Sequence, residues 1–104
     1  MDALERIRSM EEILQGAKPV LAQLDAALEA YAAQTDKLRA LARYYGGEAW
    51  RADLTLDEAG LLPPTLRRGV LSEDEVYDLL CDEQRIRDQM RGLLDNDTET
   101  EENT

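Results

Sequence analysis

Histidine is missing from this 104-residue chain, which removes the commonest zinc ligand and the usual imidazole base. Cysteine occurs once, at Cys81, so no disulfide can form within the chain, and such usage fits a reducing, cytoplasmic setting. No apolar run approaches the roughly 18 residues of a membrane span. The opening residues, Met1 to Glu12, are charged and amphipathic, unlike a secretory leader. Positive charge is scarce as well: Lys and Arg total 12 against 23 Asp and Glu, a net charge of -11. A chain so acidic repels phosphate, which disfavours direct nucleic-acid binding. Glycine is sparse and never forms a phosphate-cradling loop. No cofactor, no metal and no membrane partner is expected, and with neither a histidine nor a nucleophile beside a base, an enzyme is not expected either.

What the chain does have is a heptad. Ile7, Met10, Leu14, Ala17, Leu21, Leu24, Leu28, Tyr31, Thr35, Leu38, Ala42 and Tyr45 follow one another in alternating steps of three and four. That spacing lays one stripe along a long α-helix, here from about Asp2 to Tyr45. With Ile7 as position a, the g positions include Ile13, Val20, Ala27 and Leu41. The apolar face is therefore wide, as in a helical bundle. Gly16 and Pro19 interrupt the pattern. Proline costs about 3 kcal/mol in mid-helix, or it can open a second helix. The heptad keeps phase across Pro19, which falls at the outermost position f, so one bent helix is favoured over a fold-back.

Gly46-Gly47 ends the helix. From Gly46 to Leu71 the periodicity stops, and the anchors Trp50, Leu54, Leu56, Leu61, Leu62, Leu66, Val70 and Leu71 predict an ordered, irregular connection. Pro63 and Pro64 could start a short helical turn closed by Gly69. Ser72 with Glu75 forms a capping box and opens a last helix whose apolar face holds Val76, Leu79, Leu80, Ile86, Met90, Leu93 and Leu94, with Glu83 at a core-type position. The expected fold is all-α: a long bent N-terminal helix packed antiparallel on a shorter C-terminal helix, a hairpin or bundle forming one domain over residues 1–94. The last helix should end near Leu94, leaving a disordered acidic tail over 95–104. It is too short to cover the long stripe, so the part around Ile7, Met10 and Leu14 stays bare.

The segment from Tyr44 to Leu80 carries a pattern: Tyr44-Tyr45, Trp50, Asp53, Leu62-Pro63, Leu66, then Arg68-Gly69-Val70-Leu71-Ser72-Glu73-Asp74 and Val76-Tyr77-Asp78-Leu79-Leu80. Together with Glu5-Arg6-Ile7 and Met10-Glu11, it resembles a bacterial family of short helical proteins catalogued only as a domain of unknown function. The resemblance implies a bacterial or bacteriophage protein of the cytosol. It brings no activity, cofactor or catalytic residue to carry over.

Tyr44, Tyr45, Trp50, Asp53, Arg67 and Arg68 form the nearest thing to a constellation. They could line an aromatic pocket in which an acid and a guanidinium fix a polar ligand or peptide. Alternatively they make a packed corner, with Trp50 closing the hairpin's open end and Arg68 paired to Asp53. Asp53, Asp57 and Glu58, with Glu73 and Asp74, match no calcium-loop spacing and read as solvated charge. Cys81 has no histidine to activate it and reads as a space-filling residue. Glu83 either selects register or partner by pairing with an arginine across the interface, or is solvated where the core ends. Ala22, Ala26, Ala30, Ala33 and Ala40 read as helix-forming filler, with a close helix contact as the alternative.

The expected function is a protein–protein interaction module that self-associates through the long helix as a homodimer, with Ile7, Met10, Leu14, Tyr44, Tyr45, Trp50, Asp53, Arg68 and Glu83 as candidate interaction residues. The alternative is an acidic inhibitor that mimics nucleic acid and blocks a basic groove on a nucleic-acid-binding protein.

Overall fold

The computed structural model describes the backbone of residues 2–102 and the side chains from Asp2 to Asn96. Among these residues there are three α-helices, α1 (Ala3–Tyr44), α2 (Glu48–Glu58) and α3 (Glu73–Glu102), with a 3-10 turn at Gly69–Leu71 and no strand. The chain gathers into two compact units, Met1–Leu38 and Arg39–Thr104.

α1 is capped at its start by Asp2, whose Oδ1 accepts the backbone N–H of Glu5 at 2.8 Å. Glu5 in the first turn and Arg43 in the last complement the helix dipole. The helix runs through Pro19 as one element, so the fold-back that Gly16 and Pro19 could have made does not form. In the Met1–Leu38 unit nearly every described side chain is exposed; Ser9, Tyr31, Thr35 and Leu38 are half-buried. α1 stops at Gly46, whose φ of 77° lies in the left-handed region that favours glycine.

In the second unit the connection is more regular than its sequence suggests. Residues 48–58 form α2, a helix where an irregular segment was expected. Its exit is a Schellman turn at Gly60, with φ 71°. There the N–H of Leu61 donates to the Leu56 carbonyl and that of Gly60 to the Asp57 carbonyl, each at 3.0 Å. Pro63 and Pro64 start no helix. A single turn closes there instead, with the Leu66 N–H bonded to the Pro63 carbonyl at 3.1 Å, and the 3-10 turn begins only at Gly69.

The capping box at α3 is half made. Ser72 Oγ accepts the N–H groups of Asp74 and Glu75 at 3.3 and 3.5 Å. The Ser72 N–H donates to the Gly69 carbonyl at 3.1 Å, because the 3-10 turn claims it before the Glu75 carboxylate can. The end of α1 and the start of α3 run antiparallel as a hairpin: Tyr45 bonds to Glu73 and, further up α1, Arg39 reaches Glu83. The inward stripe of α3 is Val76, Leu80, Glu83 and Met90, while Leu79, Ile86, Leu93 and Leu94 face out. Among the described residues only Leu71 and Val76 are buried, and neither completely. α3 carries on past Leu94 to Glu102, because Asp95 to Glu102 contain no proline or glycine to stop it. The side chains beyond Asn96, most of the acidic tail 95–104 expected to be disordered, lie outside those described.

Candidate functional site

The constellation expected around Tyr44 assembles in the second unit as a corner where the end of α1, α2, the 3-10 turn and the start of α3 meet. Gly46 and Gly47 turn the chain there so that α2 leaves α1 after only three residues. A Cβ on Gly47 would lie 3.2 Å from the Arg43 carbonyl oxygen and 3.3 Å from that of Tyr44, so the backbone there would have to give by a few tenths of an ångström. This tight reversal brings Tyr44, Tyr45, Trp50 and Asp53 together.

The Tyr44 hydroxyl donates to Asp53 Oδ2 at 2.7 Å. This bond to the carboxylate, then partial burial, then the Asp53 charge, raise the Tyr44 pKa above its ordinary value. Tyr45 donates its hydroxyl to the Glu73 carbonyl at 2.7 Å. Trp50 Nε1–H donates to the Val70 carbonyl at 2.8 Å. The Tyr45 and Trp50 rings meet edge to face, with centroids 5.5 Å apart and planes at 70°.

Arg68 does not pair with Asp53, as expected from the sequence. Its Nη1 donates to Asp57 Oδ1 at 2.5 Å, one turn further along α2. Its remaining nitrogens reach the carbonyls of Leu66 and Pro64, both at 3.4 Å. Asp53 is already engaged by Tyr44, and the helical spacing of four places Asp57 beneath the loop that Arg68 ties down. Arg67 is exposed. The arrangement is a hydrogen-bonded corner that fastens an extended loop to α2, in which Tyr44, Tyr45, Trp50, Asp53 and Arg68 all bond within the chain itself. No buried side-chain nitrogen or oxygen among the described residues lacks a partner.

Glu83 sits on the inward stripe of α3 with its side chain 9% exposed. It takes an ion pair from Arg39 of α1, and Arg87 stands 3.8 Å away. Both of these arginines belong to its own chain, and the solvated reading of Glu83 is overturned. Arg39 is not among the residues expected here; a cation beside the apolar stripe of α1 and an acid inside that of α3 are the sequence signal for the pair. Cys81 is exposed, so it fills no core. It meets the hydroxyl of Tyr77 one turn earlier, and that hydrogen bond, ahead of neighbouring charge and burial, raises the Tyr77 pKa. Among the described residues no group of three or more His, Cys, Asp or Glu could hold a metal ion. The five alanines of α1, Ala22, Ala26, Ala30, Ala33 and Ala40, are exposed.

Ile7, Met10 and Leu14 lie apart from this corner in sequence, in the Met1–Leu38 unit, where all three are exposed. With Arg6 and Glu11 they line a shallow recess of about 460 Å³.

A family catalogued as a domain of unknown function, DUF4298, matches residues 7–93. The chain belongs to it. The match takes in the exposed stripe, the corner and almost all of the apolar part of α3. No curated protein and no solved structure matches this DUF4298 chain. No helix among the described residues is long and apolar enough to cross a membrane.

Proposed function

We propose that this DUF4298 protein is an interaction module that self-associates through α1 as a homodimer and has no catalytic activity of its own. The observation that supports this reading is the apolar face of α1. Nine large side chains between Leu4 and Leu28 are 42–63% exposed, on one continuous helix. A helix so bare draws little from tertiary packing, which is where most helical stability in proteins comes from. Covering the stripe with another apolar face supplies the missing stabilisation. A two-fold pair is the commonest way to provide one. The hydrogen-bonded corner then serves to hold the hairpin shut, leaving α1 free to present its face. We place the protein in the bacterial cytoplasm, in keeping with its single, unpaired Cys81.

The acidic-mimic alternative draws on Glu73, Asp74, Glu75, Asp78 and Asp82, all exposed at the start of α3. Salt separates the two readings. An apolar interface barely responds to ionic strength, whereas binding to a basic groove collapses as salt rises. Light scattering across a range of concentrations and salt tests the first reading. A dimer that persists in salt is expected, and a monomer at every concentration overturns it.

A further inference from the structure

Resting on that self-association, we infer that α1 pairs with a second copy of this chain in one antiparallel register, with the two-fold axis between Gln15 and Gly16. Three observations single out this register.

The first is the extent of the bare surface. The heptad stripe is exposed from its start to Leu28, and Tyr31, the next core position, is half-buried. An axis between Gln15 and Gly16 lies at the middle of the free part. It sets Ile7 against Leu24 of the second copy, Met10 against Leu21, Leu14 against Ala17 and Ala3 against Leu28. Leu21 and Leu24 of the second copy would then enter the recess lined by Arg6, Ile7, Met10, Glu11 and Leu14.

The second is the charge beside the stripe. In an antiparallel pair, e positions face e positions and g positions face g positions. The charged e residues of the exposed half are Glu11, Lys18 and Asp25. In this register Glu11 meets Lys18 of the second copy, and symmetry makes that pair twice. Sliding one helix by a heptad toward its N-terminus puts Glu11 against Glu11. Sliding it the other way puts Lys18 against Lys18 and Glu11 against Asp25. Both neighbouring registers are therefore penalised by like charges.

The third is the g edge. Here Ile13 meets Val20 of the second copy, again twice, and both side chains are among the most exposed on α1. A parallel, in-register pair would set Ile13 against Lys18 and Val20 against Asp25, leaving both apolar residues facing charge. Pro19, at position f, points away from the seam in either arrangement. Within one chain Glu11 accepts only a 3.3 Å bond from Gln15 one turn on, which the interface need not break.

A charge-swap series on the full chain tests this. Glu11→Lys and Lys18→Glu each turn two attractive contacts into two repulsive ones, so each should raise the dimer Kd about tenfold at low salt. The double swap Glu11→Lys/Lys18→Glu restores both pairs and should return Kd to within about threefold of the wild type. Sedimentation reads the mass, and circular dichroism confirms that all variants remain helical. A double variant no tighter than the single ones overturns the register while leaving self-association standing. A parallel dimer gives that outcome, because there Glu11 faces Arg6 and Lys18 faces no charge. A wild type that never dimerises overturns the register and the self-association together.

Discussion

Glu83 illustrates how a single side chain can look misplaced in the sequence and be accounted for in the structure. An acid on the inward stripe of α3 would be a liability alone. Arg39 offsets it from the last turns of α1, and Arg87 adds a second, looser cation. The two partners are unequal, since the Arg39 side chain is 47% exposed and that of Glu83 only 9%. Truncating the arginine strands the more buried charge, so Arg39→Ala should cost about 1–2 kcal/mol, the retained Arg87 limiting the loss. Glu83→Leu removes the charge and extends the apolar run from Leu80 to Met90, so it should be neutral or stabilising. Urea midpoints of the two variants check this, and an Arg39→Ala protein as stable as the wild type would contradict it. Tyr44 gives a pH signature at the same scale. Its pKa lies above the ordinary 10.0 because the neutral hydroxyl is held by Asp53. A raised folded-state pKa contributes stability that is complete below the unfolded value and fades as pH climbs through the folded one. The melting temperature should therefore fall on the alkaline side of pH 10.0, and Tyr44→Phe should lower it at neutral pH and shrink that alkaline loss. Tyr77, also shifted upward, keeps part of the alkaline loss in the variant.

At the scale of elements, long periodic stretches were legible and short ones were not. α1 announced itself through its heptad and its Gly46 stop, and α3 through Ser72 and the charges that follow it. α2 was hidden because an 11-residue helix offers barely three turns, and its inward residues, Trp50, Asp53, Leu54 and Asp57, mix apolar with acidic. Periodicity read from hydrophobicity alone passes over such a face. Gly60 after Ala59 was the readable signal, since it is the left-handed residue a Schellman exit needs. The corner was legible as a group of residues but not as a set of pairs. Asp53 and Asp57 lie one turn apart on α2, and only the fold decides that Tyr44 takes the first and Arg68 the second. Pro19 is the element-scale anomaly. Its ring removes a donor to the Gln15 carbonyl within a stretch that little else supports. Pro19→Ala restores that bond and should stabilise α1 by up to ~3 kcal/mol. Far-ultraviolet ellipticity should rise with it, while the mass of the proposed dimer should stay the same because position f lies outside the proposed seam. An unchanged ellipticity would mean that the helix already accommodates proline at no cost.

For the whole molecule, the balance is between a thin core and a large net charge. With only Leu71 and Val76 buried among the described residues, the single chain has little margin against the repulsion of 11 excess negative charges. The proposed association would address the first shortage by covering the α1 stripe, and salt relieves the second by screening. The two effects separate experimentally. If folding and pairing are linked, a tenfold rise in protein concentration favours the folded dimer by ~1.4 kcal/mol. For a chain of this size that moves the melting temperature by a few degrees. Added salt at fixed concentration should raise it as well, through screening of the acidic surface. The concentration effect should persist in high salt, since the proposed Ile7 to Leu28 seam is mostly apolar and only the inferred Glu11–Lys18 pairs would weaken there. A melting temperature that follows salt but ignores protein concentration would mean that the stripe stays bare, and the case for pairing through α1 would then have to be abandoned.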